Sequence, residues 1–288
     1  MLPVFDLLTP ETLEEAFRMK SETGGKFLAG GTDLFVAMHS GKKRYPVLID
    51  IKGIRELNYF ETRGGLEFGA LTTHRAVETN SLIRERYTAL YEGCSRVGSV
   101  QIRARGTVGG NICNAVPSAD SVGPLLVFDA VCSIAGQGTE RRLPLCEFFT
   151  GPGKTVLGEN ELLKGISISE AVPSSGSAYI KFTRRNAMDL AMFGVSCCLV
   201  LDGNRVGKAR IALTTAAPTP MRAVNAEEFL TGKELGEAVI RETAALAASE
   251  AKPRSSWRSS AEFRLALAKE LTARALKLAA DRAKGDSK

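Results

Sequence analysis

The sequence is poor in the residues that usually carry metal and acid–base chemistry. Only two histidines, His39 and His74, occur in 288 residues, and each stands alone, so a His-based catalytic triad or metal site is hard to assemble. The six cysteines (Cys94, Cys113, Cys132, Cys146, Cys197 and Cys198) form no CxxC pair, which leaves no zinc or iron–sulfur spacing. Cys197 and Cys198 fall inside the apolar run VSCCLVL, where buried, reduced thiols and a cytoplasmic location are expected. No stretch of eighteen apolar residues and no basic-then-apolar leader is present, so neither a membrane span nor a signal peptide is expected. Few aromatics are interleaved with the basic residues. The net charge of +6 therefore comes without a nucleic-acid motif; a mild positive field suits an anionic cofactor or an acidic partner.

What the chain does have is glycine in pairs beside small polar residues. The first pair lies in AGGTDL, Ala29 to Leu34, and the second in TVGGNICNAVPSADS, Thr107 to Ser121. Glycine admits positive φ and lets the backbone approach another molecule closely. Converging N–H groups, helped by Thr32, Thr107, Asn111 and Asn114, make an anion cradle. One such pair reads as a tight turn; two polar-flanked pairs favour a site for an elongated, doubly charged group such as a pyrophosphate. Asp33 and Asp120 either cap a helix or close a turn, or accept hydrogen bonds from ribose or ribityl hydroxyls. Arg184-Arg185-Asn186 is either a solvated turn or an electrostatic partner at the lip of a cleft.

Two other nucleotide motifs fail. GPGKT at Gly151–Thr155 ends like a phosphate-binding loop, but Phe148 stands where the first glycine is required. Gly106, Gly109 and Gly110 miss the dinucleotide fingerprint spacing, and repeated βαβ units are lacking. With no nucleophile–base set either, any chemistry falls to a cofactor.

The pattern along the chain is α+β. A helix opens at Thr9-Pro10, a short strand covers 26–29, an apolar helical stretch runs to Met38, and VLIDI at 47–51 reads as a buried strand. Gly64-Gly65 marks a hairpin, helical stretches follow near 74–80 and 84–98, and a second hairpin brackets GQGT around 136–139. Pro173 to Ser177 reads as a linker. Strands are expected at 178–184, 191–201 and 206–214, with Asp202-Gly203-Asn204 as the turn between the last two. Helices follow, the longest over 261–283.

Taken in order, AGGTDL, TVGGNICNAVPSADS, TGPGK and the KxxRR…MDLA segment resemble the FAD-binding (medium) subunits of the molybdenum hydroxylases, from Phe5 to beyond Arg264. NICN, RRNAMD, AAPTP and PRSSWR are most similar to bacterial xanthine dehydrogenase flavin subunits, and the carbon monoxide dehydrogenase medium subunit is also similar. The resemblance implies a VAO/PCMH-type FAD domain of two subdomains, 1–56 and 57–172, followed by a C-terminal domain, 173–288, with a small antiparallel sheet and helices. It implies non-covalent FAD, with Ala29, Gly30, Gly31, Thr32 and Asp33 at the pyrophosphate. Thr107, Gly109, Gly110, Asn111, Asn114 and Asp120 would hold pyrophosphate and ribityl, Lys181 and Leu190 would lie by the isoalloxazine, and Leu163 near adenine or flavin. Molybdenum cofactor and [2Fe–2S] clusters are expected only in partner subunits, a large and a small one, with NAD or another acceptor taking the electrons. The alternatives are a stand-alone flavin oxidase of the same fold and a non-redox nucleotide-binding assembly protein.

Overall fold

The computed structural model describes residues 2–285. The first region builds a three-stranded parallel sheet from β1 (Asp6–Leu8), α1 (Leu13–Thr23), β2 (Lys26–Leu28), α2 (Leu34–His39) and β3 (Val47–Asp50), in the order β1-β3-β2. Helix α1 begins later than Thr9-Pro10 suggested. Thr12 accepts from the Glu15 N–H at its start and Gly24, at φ 64°, closes it, the Thr and Gly signals of a helix's two ends.

The second region holds β4 (Phe60–Glu61), β5 (Gly65–Gly69), α3 (His74–Glu78), α4 (Ser81–Arg86), α5 (Thr88–Ser95), α6 (Val100–Arg105), α7 (Val108–Asn114), α8 (Val122–Val127), β6 (Val131–Gly136), β7 (Thr139–Pro144), β8 (Phe149–Gly151), β9 (Lys154–Thr155) and β10 (Glu161–Ser169). Its five-stranded antiparallel sheet runs β4-β5-β10-β6-β7. The central strand β10, ELLKGISIS, was not foreseen: its apolar residues do not alternate strictly, and a register shift falls between Leu163 and Gly165. Both hairpins are present, β4–β5 and β6–β7. GPGKT forms the β8–β9 ribbon, with no glycine-rich loop leading into a helix.

The third region is a four-stranded antiparallel meander, β11 (Ser175–Phe182), β12 (Phe193–Asp202), β13 (Arg205–Thr214) and β14 (Met221–Arg222), packed by α9 (Val224–Leu230), α10 (Glu237–Glu250) and α11 (Ala261–Lys284). Strand β11 starts inside the expected linker, Ser175 pairing with Val200. Cys197 is fully buried in β12, and burial pushes its thiol well above the ordinary range. Helix α11 lies close on the sheet because Gly176 has no Cβ; one there would collide with the Ala279 carbonyl. Among the described residues no helix is long and apolar enough to cross a membrane.

Candidate functional site

The first glycine segment leaves β2 and turns into α2. Gly31 takes φ 75°, a conformation costly for residues with a Cβ, and its carbonyl accepts from the Phe35 N–H at 3.0 Å. Gly30 is required for a different reason: a Cβ there would collide with the Arg105 carbonyl, so the loop packs against the α6–α7 junction. Thr32 Oγ1 lies 3.3 Å from where a Cβ on Gly106 would stand. The Ala29 carbonyl accepts from Lys52 Nζ at 3.5 Å. Among the described residues, the N–H groups of Gly30, Gly31, Thr32 and Asp33 find no protein acceptor. Four consecutive free donors in a turn are what an anion-binding loop offers, so the segment fits a pyrophosphate. Asp33 stands at the start of α2 without capping it, and partial burial pushes its carboxyl above the usual range.

The second pair corrects the expectation of a glycine turn. Gly109 and Gly110 are helical, in the first turn of α7. Thr107, buried, caps this helix and accepts from the Gly110 N–H at 2.9 Å. The Val108 and Gly109 N–H groups donate to the carbonyls of Thr72 and Ala70 at 2.9 and 3.2 Å. A Cβ on Gly109 would stand 2.5 Å from the Ala70 carbonyl oxygen. Gly109 lets α7 seat against the β5–α3 turn, and the N–H donors of both glycines are already used. The side chains of Asn111 and Asn114 remain; Asn111 Oδ1 accepts from Ser121 Oγ at 2.7 Å, and Asn114 is half-buried.

Past α7 the chain delivers Asp120 to a buried meeting point with the third region. Asp120 accepts from Lys181 Nζ at 2.7 Å and from the Tyr179 hydroxyl at 2.6 Å. Lys181 also donates to the Arg96 carbonyl at 3.0 Å. Burial raises the Asp120 carboxyl above its ordinary value although both donors pull the other way. Lys181 and Tyr179 line a cavity of about 370 Å³ with Arg96, Glu92, Thr183 and the 185–189 segment.

The site residues thus fall into two linked groups. Gly30 and Thr32 meet the approach to Thr107; Asn111–Ser121 and Asp120–Lys181 are two hydrogen-bonded pairs brought side by side because Asp120 and Ser121 are neighbours in the chain. Leu190 stands apart, about half exposed after the charged segment. Leu163 is also apart: its side chain is buried in the core of the second region, on β10 opposite Ile134. Cys113 lies beside the Leu163 backbone, where burial pushes its thiol up to about 12. Tyr179, Arg96 and His74 were missed. Tyr179 was within reach, since residues two apart on a strand share a face and it sits two before Lys181. His74 is buried beside Gly106, to whose carbonyl its N–H donates at 3.0 Å; burial first, then the Arg103 charge, lowers its pKa to about 4.

A loop of free donors and an ion-paired lysine at a cavity are what a protein that binds an anionic cofactor offers. Residues 3–170 match the profile of the FAD binding domain in molybdopterin dehydrogenase, and residues 177–279 that of the CO dehydrogenase flavoprotein C-terminal domain. The chain belongs to the FAD-binding medium subunits of the molybdenum hydroxylases. It is 34% identical over 265 residues to the xanthine dehydrogenase FAD-binding subunit of Escherichia coli O157:H7, covering 91% of each chain. It is 30% identical to the carbon monoxide dehydrogenase medium chain of Hydrogenophaga pseudoflava, over 96% of this chain and 97% of that one. The structure of carbon monoxide dehydrogenase from that organism superimposes with a TM-score of 0.94 at 30% identity, covering 98% and 99%. Quinoline 2-oxidoreductase from Pseudomonas putida 86 does so with 0.91 at 27%, covering 99% of both chains.

Proposed function

We propose that this chain is the electron-transfer subunit of a xanthine dehydrogenase-like complex. A large subunit with molybdenum cofactor oxidises the substrate, a small subunit relays electrons through [2Fe–2S] clusters, and this chain passes them to NAD or another acceptor. The observation that carries the reading is the run of four free N–H groups at Gly30–Asp33, held against the α6–α7 junction. Bound FAD supplies the redox chemistry, taking electrons singly and releasing them singly or as hydride. Ala29 to Asp33 would hold the pyrophosphate, with Thr107 and the α7 glycines shaping the wall behind it. Asn111, Asn114 and Asp120 would meet pyrophosphate and ribityl oxygens. Lys181 would place its positive charge by the isoalloxazine, Leu190 would cover one ring face, and Leu163 would contribute through its backbone. The 34% identity over 91% of both chains supports the xanthine dehydrogenase comparison. The three larger of the four sheets support division into units at 1–56, 57–172 and 173–288; Met1 and residues 286–288 lie outside the described residues. Six free thiols suit the cytoplasm.

The purified chain is expected to carry one FAD, all of it released when the protein is denatured in acid. Flavin absorbance retained on the unfolded polypeptide would overturn non-covalent binding, and a colourless chain that takes up no FAD would overturn the site. Reconstitution with the two partner subunits should then give xanthine-dependent bleaching of the flavin spectrum.

A further inference from the structure

Beyond the flavin site, one exposed face carries an unbalanced concentration of arginine around the only tryptophan. Trp257 is 77% exposed, and the guanidinium carbons of Arg184 and Arg258 lie 5.0 and 4.5 Å from its ring centroid. Arg264 lies beneath the same loop, 6% exposed, donating to Ser256 Oγ at 3.0 Å while its Nε has no partner. Ser256 Oγ also accepts from the Arg258 N–H at 3.3 Å, and Ser256 and Ser259 bridge one another. Among the described residues no carboxylate stands within ion-pair distance of Arg184, Arg254, Arg258 or Arg264. The arginines that join the regions of the fold are paired, Arg282 with Glu92 and Arg222 with Glu227. Phe263 extends the face: it is 45% exposed and packs edge-on against Phe182 at 5.9 Å.

The face is built for a macromolecule. Guanidinium groups already sit over the tryptophan, and neither Trp257 nor Arg258 lines the neighbouring cavity, whereas small-molecule sites are concave. Exposed Trp, Arg and Phe in one patch have the composition of an interface centre, and the three unmatched guanidinium groups at the surface, those of Arg184, Arg254 and Arg258, call for carboxylates opposite. The position narrows the choice of partner. Arg184 lies between Thr183 and Arg185, which wall the cavity over Lys181, so whatever docks here lies next to the proposed isoalloxazine end of the flavin. Electrons must enter at that end.

We propose that this arginine–tryptophan face docks the [2Fe–2S] subunit, which meets it with surface carboxylates. The proposal rests on the electron-transfer reading above. The test is co-expression of the chain with the iron–sulfur and molybdenum-cofactor subunits of its complex, measuring iron–sulfur and flavin content after purification. Trp257→Ser, Arg258→Glu and, as an independently placed variant, Arg184→Glu should keep the wild-type melting temperature and FAD content. Each should weaken retention of the iron–sulfur subunit roughly tenfold or more, and Arg258→Lys should restore most of it. Wild-type affinity should fall steeply with salt, and that slope should be shallower in Arg258→Glu. Variants that assemble like wild type overturn the surface alone. Loss of the molybdenum subunit with full retention of the iron–sulfur subunit overturns the choice of partner. A folded, yellow wild-type chain that takes up no iron–sulfur subunit overturns the electron-transfer reading, and the surface falls with it.

Discussion

Gly31 and Gly110 belong to motifs that look alike in sequence, yet the structure gives them different work. Gly31 is left-handed, and a Cβ there would lie 2.8 Å from the Phe35 ring. Gly110 is helical, and a Cβ there would meet only the Thr107 hydroxyl, at 2.8 Å. Gly31→Val should therefore strain the loop by about 1–2 kcal/mol and turn its free N–H groups away, with most of the FAD lost. Gly110→Ala should keep its FAD, because the helix gains about 1 kcal/mol from alanine that offsets a small shift of Thr107. Flavin occupancy measured alongside thermal melting separates the two; equal occupancy in both would show that the first loop is not the phosphate site. Sequence reasoning located both motifs but could not distinguish them. The second pair's N–H acceptors, Ala70 and Thr107, include one almost forty residues away in the chain, and only folding brings it there.

At the scale of elements, helix α3 fixes the junction between the two glycine segments. His74 opens that helix, its N–H held by the Gly106 carbonyl, with Thr73 accepting from the Ala76 N–H as the cap. The His74 ring is buried and neutral, with its pKa lowered to about 4 from 6.5 by desolvation and by Arg103. Because the folded value lies below the unfolded one, the stabilisation is present above pH ~6.5 and is lost as pH falls towards 4. The shift corresponds to about 3 kcal/mol. Unfolding measured between pH 7 and 4 should show this loss, and His74→Phe should flatten that part of the profile. An unchanged pH slope in the variant would rule out His74 as the group responsible. A lone histidine after ALTT gave no hint of this, since burial is a property of the packed element.

For the whole molecule, buried and half-buried charge ties the third region to the second. Lys181 on β11 reaches Asp120 beyond α7, Arg282 on α11 reaches Glu92 on α5 at 2.6 Å, and Arg222 reaches Asp129 at 2.7 Å. The Lys181–Asp120 pair is the deepest of these, with side chains 7% and 8% exposed. Removing one partner of such a pair leaves an uncompensated charge. Asp120→Asn should destabilise by about 3–5 kcal/mol, whereas Asp120→Asn with Lys181→Met should recover a large part of that loss. Chemical denaturation of the two variants is the measurement, and a double variant no more stable than the single one would show that the ion pair is not what joins the regions. Its position beside the cavity also makes this contact a candidate route by which docking of the third region shapes the flavin site.

The class of fold, the place of the first donor loop, the hairpins at Gly64-Gly65 and Asp202–Asn204, and the long C-terminal helix are all legible along the chain. Each of these depends on residues near one another in the chain: a cap, a turn glycine, or an apolar repeat. Tertiary structure alone decided that α7 is a packed helix, that Leu163 faces the core, and that β10 is the centre of its sheet. It alone joined Asp120 to Lys181 across sixty residues of chain. Hydrogen-bond acceptors, burial and counter-charges come from segments distant in sequence, so local pattern carries no record of them until the chain closes on itself.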